Sequence, residues 1–222
     1  DHIDGLHDPL DYLRRLRERV PECYLVVEKI LELEEMIPTQ WPIEGTSGYK
    51  FCNYVNGVFC DGGSEPAFTD FYHEFIDRPV DYATMLYETK LRVLQEHMGG
   101  EVAYLAHLVR DAAPERAEES PQVWQRALAA LIAAFGVYRT YIDLQQFTDQ
   151  DRAFITAAVL FAKEKAPEEA SCIDRIGQLL LSYRPALTES GDQDAQQYVL
   201  MRLQQFTGPA MAKGLEDTLF YT

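Results

Sequence analysis

Beyond residue 79 the chain repeats apolar residues at helical spacing, and this periodicity restricts its fold more than any other feature. Tyr87, Leu91, Leu94 and Met98 fall at i, i+4, i+7 and i+11, and Trp124, Leu128, Leu131 and Phe135 repeat the pattern. Val102, Leu105, Ala106 and Val109 mark another helix between them. Further helices are expected from about Asp149 to Lys165, around Ile173, Ile176 and Leu180, and around Val199, Leu203 and Phe206. Gly99-Gly100 and the segment from Pro114 to Ser120 are breaks, and Glu189 to Asp194 reads as a polar loop. Val137 to Ile142 is the one stretch here with the texture of a strand. There is no internal repeat.

Residues 1–79 read differently. Asp8 before Pro9 is an N-cap and N1 pair, and Leu10, Leu13, Leu16 and Val20 continue it as an amphipathic helix that Pro21 stops. Cys23 to Val27 is short and apolar on both faces, as a buried parallel strand should be, and it ends in Glu28 and Lys29. A helix followed by such a strand is the half-unit of a parallel α/β fold, where chemistry collects at the C-terminal ends of strands. From Trp41 to Pro66 the texture is loop, short helix and turn, a plausible substrate-facing region. The expected boundary therefore falls near residue 79, between an α/β-like beginning and a helical remainder.

Composition narrows the function classes. The 222 residues carry 20 Lys+Arg against 36 Asp+Glu, a formal net charge of -16 that repels phosphate backbones and anionic membrane surfaces. Nucleic acid is excluded as an expected partner. Neutral sugars feel no such field, and the 13 Tyr, 11 Phe and 2 Trp can offer them flat faces as well as fill a core. Cys23, Cys52, Cys60 and Cys172 form no C-x-x-C pair and show no zinc-ribbon spacing, which reads as reduced thiols in a cytoplasmic protein. No apolar run is long enough to span a bilayer. The first residue is an Asp within what reads as a motif, so a native N-terminus upstream is expected.

Asp1 to Asp8 packs three Asp and two His into eight positions. A metal site is one reading, but the spacing fits neither H-E-x-x-H nor an EF-hand loop, and no metal or other cofactor is expected. A solvated loop with a helix cap is the second. The third is a carboxylate nucleophile at a strand end, which needs a partner carboxylate about 5 Å away for retaining glycosyl transfer. Glu28 is the candidate partner: one helix and one strand separate it from Asp1, the sequence distance between successive strand ends of a (β/α)8 barrel.

Five blocks then carry a resemblance. Asp1-His2-Ile3-Asp4-Gly5-Leu6, Val26-Val27-Glu28-Lys29-Ile30-Leu31, Gly45-Thr46-Ser47-Gly48-Tyr49, Val137-Tyr138-Arg139-Thr140-Tyr141 and Thr207 to Thr218, with its Ala-Lys-Gly and Glu-Asp-Thr, are similar in order to the maltooligosyltrehalose synthases. These are amylase-type enzymes that turn the reducing-end α-1,4 linkage of a maltooligosaccharide into an α,α-1,1 linkage. The resemblance implies a mainly α fold in which residues 80–222 are a helical insertion domain attached to a partial (β/α)8 barrel segment, residues 1–79. It implies that Asp1 is the nucleophile, that Glu28 is the general acid/base, that His2 lines the same subsite and that Tyr49 contacts substrate.

A third catalytic carboxylate, in a Thr-His-Asp-Thr-Lys motif, has no match and is expected beyond Thr222; the family's Arg two positions before the nucleophile is likewise absent. The chain is thus expected to be an internal piece, inactive alone, with surfaces left by the missing barrel half available for self-association. Arg139 could reach sugar hydroxyls or be a buried, paired structural residue. Lys213 could contact substrate or cap a helix C-terminus. Trp41 could stack on a sugar, though packing back onto the domain is the simpler reading, and His73, His97 and His107 read as ordinary surface or core histidines. The alternative functions are an amylase-type hydrolase or glucanotransferase, and a non-catalytic helical interaction module.

Overall fold

Asp8 accepts the Asp11 N–H at 2.9 Å and so caps α1 (Pro9–Arg19), which buries Pro9, Leu10 and Leu13. The structure is a computed structural model and describes residues 2–32, 35–113, 119–185 and 191–221. Two short parallel strands follow α1: β1 (Val26–Val27) lies against β2 (Gly45–Thr46), with Val26 opposite Gly45 and Val27 opposite Thr46. The strand predicted from Cys23 to Val27 is shorter than expected, and it is not buried on both faces. Val27 is 3% exposed, but Tyr24 is 75% and Val26 40% exposed. One face packs on α1 and Trp41; among the described residues no element covers the other.

Two helices, α2 (Tyr49–Gly57) and α3 (Glu65–Ile76), then project without burying a single residue. Phe51, Val58, Phe59, Phe68 and Phe75 are all more than 70% exposed, a run of apolar surface of the kind that marks a contact face.

The remainder is a helical bundle of α4 (Tyr82–Glu96), α5 (Gly99–Ala112), α6 (Pro121–Ala134), α7 (Asp149–Lys165), α8 (Ala170–Ser182) and α9 (Gly191–Met211). A helical stretch that is apolar all round must be enclosed, and α6 from Ala127 is: Trp124 and every residue from Ala127 to Phe135 are buried, with α4, α5, α7, α8 and α9 packed about the helix. Its five alanines let those neighbours approach closely. α7 starts and stops where its pattern predicts, since Thr148 and Asp151 close a reciprocal capping box. Most of the break from Pro114 to Ser120 and the beginning of the loop expected from Glu189 lie outside the described residues, and α9 begins at Gly191.

Val137 to Ile142 forms no strand. It is a largely buried, irregular segment whose backbone finds side chains instead of a ladder: the Tyr141 N–H donates to Asp151 at 3.2 Å, and Gln204 on α9 accepts from the Ile142 N–H at 2.7 Å and donates to the Ile142 carbonyl at 2.9 Å. The segment runs between the two halves of the molecule, and Tyr138 packs with Met211 and Leu215 against Ile30 and Leu86. Pro209 lies within α9, and after Met211 the chain unwinds slightly into a π-helical turn, Ala212–Glu216, that sits on α4. Among the described residues, no helix is long and apolar enough to cross a membrane.

Candidate functional site

His2 pairs in parallel with Glu28, which places the start of the first motif beside the end of β1. His2, β1 and β2 thus lie side by side, with Glu28 and Ser47 directly following the two strands; the Ser47 N–H donates to the Val27 carbonyl at 2.9 Å. In parallel α/β architecture this edge is where side chains escape the sheet and reach substrate. Asp1 lies outside the described residues.

Gly48 takes φ = 100°, the left-handed conformation that turns the chain from β2 into α2. The first residue of α2 is consequently folded back, and the Tyr49 hydroxyl donates to Glu28 Oε1 at 3.0 Å. The charge and hydrogen bond of Glu28 push the Tyr49 phenol above its usual pKa, so it stays a donor at neutral pH. An open cleft of ≈ 440 Å³ lies against this pair, lined by Val26, Val27, Glu28, Ser47, Gly48, Tyr49 and Cys52.

The π-helical turn carries a further carboxylate near the Tyr49 hydroxyl. Glu216 accepts a hydrogen bond from Tyr138, whose ring lies 6.5 Å from that of His2, and its charge also reaches the Tyr49 hydroxyl. Burial, then the Glu216 bond, pushes Tyr138 far above an ordinary phenol, which fixes it as a neutral donor. Sequence reading singled out Lys213 from this block and did not consider Glu216. Lys213 is exposed and paired with Asp217 at 2.5 Å, on the helical ridge that faces solvent. No periodicity could have chosen between them, because the turn departs from α-helical spacing.

Arg139 is 1% exposed. Its guanidinium donates to the carbonyls of Asp4 at 2.6 Å, Leu6, and His7 at 3.1 Å, so its donors are committed to backbone and the buried, paired alternative describes it. Trp41 is 6% exposed and meets Tyr141 edge-on at 4.8 Å, packed back onto the domain. His73 accepts the Val80 N–H at 3.1 Å. Among the described residues no group of three or more His, Cys, Asp or Glu is placed to hold a metal ion.

No protein-family model matches the chain. A Mycobacterium tuberculosis protein named as a maltooligosyl trehalose synthase is 30% identical over 225 aligned residues, all of this chain. The maltooligosyltrehalose synthase structure from Arthrobacter ramosus is 32% identical and superposes over 100% of the chain with a TM-score of 0.80. Over its whole length the chain is similar to a segment of these maltooligosyltrehalose synthases. A hypothetical maltooligosyl trehalose synthase of Sulfolobus tokodaii matches over the whole chain too, at 25% identity and a TM-score of 0.67. The segment spans about a quarter of the length of these relatives, 26% of the Mycobacterium protein and of the Arthrobacter chain. The mainly helical architecture of the chain matches that part of the Arthrobacter structure.

Proposed function

We propose that these residues are part of a longer isomerase that converts the reducing-end α-1,4 linkage of a maltooligosaccharide into an α,α-1,1 linkage, with residues 1–79 contributing a segment of a (β/α)8 barrel and residues 80–222 a helical domain beside it. The parallel pairing of His2 with Glu28, next to the Tyr49 clamp on the same carboxylate, is the observation that carries this reading. It sets the residue after Asp1 beside the residue that must work with Asp1.

In the mechanism, the Asp1 carboxylate attacks the anomeric carbon of the penultimate glucose while protonated Glu28 gives its proton to the departing oxygen of the terminal glucose. The freed glucose turns within its subsite. Its anomeric hydroxyl then attacks the same carbon, Glu28 takes the hydroxyl proton, and the Asp1 ester is released. Two inversions give net retention. Tyr49 orients Glu28 through both steps, and Glu216 with Tyr138 offers a carboxylate and a ring at the side where the freed glucose must be held. Water has to be kept out while the glucose turns, or hydrolysis competes. A third carboxylate comes from elsewhere in the polypeptide, so the 222 residues alone are inactive.

Incubating maltohexaose with the longest polypeptide that carries this segment tests the proposal. The reducing-end count falls if linkages are isomerised. A rising count would replace the reading with hydrolysis, and the 222-residue chain alone should leave the count unchanged.

The four cysteines are free, which supports a cytoplasmic setting. The aromatic faces of α2 and α3 support self-association of the isolated chain. Light scattering after size exclusion should show a mass that rises with concentration and is insensitive to salt; a constant monomer mass would reject this.

A further inference from the structure

Behind the cleft, on the opposite side of the strand from Glu28, lies a set of buried charges that the mechanism above does not use. Side chains alternate along an extended chain, so when Glu28 faces the cleft, Lys29 faces inward. Lys29 is 1% exposed, and its ammonium lies 3.4 Å from Asp4 Oδ2 and 3.1 Å from Glu35 Oε1 while donating to the Ile30 carbonyl at 2.8 Å. Asp4 is fully buried; its other oxygen accepts from the Tyr141 hydroxyl, and Oδ2 lies 3.6 Å from His2 Nε2. Glu35 accepts the Glu32 N–H at 3.2 Å, and Arg139 grips the carbonyl of Asp4 itself.

Burying such a group costs desolvation that its ion pairs at best offset, so stability alone is a poor reason for its presence. What it supplies is direction. Lys29 is bonded to Glu28 along the chain, Asp4 is held to the segment of His2, and the contact between them fixes one strand end against the other. We infer that Lys29, Asp4 and Glu35 are positioning residues that set the separation of the Glu28 carboxylate from the nucleophile segment. This rests on the function proposed above. A displacement of about 1 Å in such a pair can cost roughly 100-fold in rate.

The test compares Lys29→Met, Asp4→Asn and their combination in the longest polypeptide that carries the segment. Each single variant should lose about 100-fold in kcat with KM changed less than threefold, and the double variant should lose little more than either, since both break one contact. The fraction of glucose released by hydrolysis should rise, because a misaligned intermediate waits longer for its acceptor. A purely structural role would lower the melting temperature and leave kcat per folded molecule and the hydrolysed fraction unchanged; that result overturns the inference. If Lys29→Met does not fold, Glu35→Gln, which keeps the shape and one acceptor, is held to the same outcomes. If the parent polypeptide shows no activity, the proposed function fails separately, and amide exchange decides the latch. Faster exchange confined to residues 2–4 and 26–29 in Lys29→Met supports it, whereas unchanged or uniformly raised exchange overturns it.

Discussion

Glu28→Gln in the polypeptide that carries this segment should slow loss of maltohexaose reducing ends by roughly 10²–10⁴-fold, the usual range for removing a general acid/base. The amide keeps the size of the carboxylate and still offers an oxygen to the Tyr49 hydroxyl, so the clamp at 3.0 Å and the fold should persist. Glu28 lies on an open cleft and outside the buried core, so the change should leave the melting temperature almost unmoved. A second substrate isolates the proton. Fluoride leaves with little acid assistance, so the variant should form the glycosyl-enzyme from α-maltosyl fluoride with a far smaller deficit than from maltohexaose. Equal losses on both substrates would mean that Glu28 binds sugar and donates no proton. A loss below tenfold on maltohexaose would remove it from the chemistry altogether.

Gly214→Ala should be the most damaging small substitution in the helical half. A Cβ at this position would lie 2.3 Å from Lys90 Cγ and 3.0 Å from Lys90 Cα. The side-chain contact could relax, but the second atom is backbone, so the π-helical turn must lift away from α4. Lys90 has little room to yield: it is fully buried, and its ammonium donates to the Phe135 carbonyl at 2.6 Å. Burial, opposed in part by Glu32, pulls its pKa down to about 7. Overpacking of this kind costs about 1–3 kcal/mol. In a chain of this size that corresponds to a fall in melting temperature of roughly 2–12 °C, followed by circular dichroism. The turn carries Glu216, so the Tyr138 contact should be lost with it. An unchanged melting temperature would show that the turn and α4 can separate freely, and would sink the account of why glycine stands there.

Those two positions differ in how far the sequence exposed them. Glu28 could be selected because a short apolar run ending in a carboxylate is a local pattern, and the resemblance of the flanking block gave it a role. Gly214 lay in a recognised block, yet nothing in the letters Ala-Lys-Gly-Leu-Glu says that a lysine on α4 occupies the space its side chain would need. The same limit separated Lys213 from Glu216, because which side of a turn faces a cleft depends on helical phase, and a π-helical turn shifts that phase. Arg139 posed a similar choice. A guanidinium between two tyrosines suits either sugar or backbone, and only the approach of the Asp4 to His7 carbonyls committed it.

Asp8 at the head of α1, the capping box of α7, the apolar run that ends α6 and the order of the motifs were determined by sequence, since each depends on residues within a few turns of one another or on side chains that water rejects from every direction. Tertiary structure decided the rest: the exposure of Tyr24 and Val26, the pairing of Thr140 and Ile142 with Gln204 in place of a ladder, the contact of Glu216 with Tyr138, and the buried contact between Lys29 and Asp4. Each depends on distance in space between groups far apart along the chain, and local periodicity carries no information about which distant surface will arrive to satisfy a buried polar group.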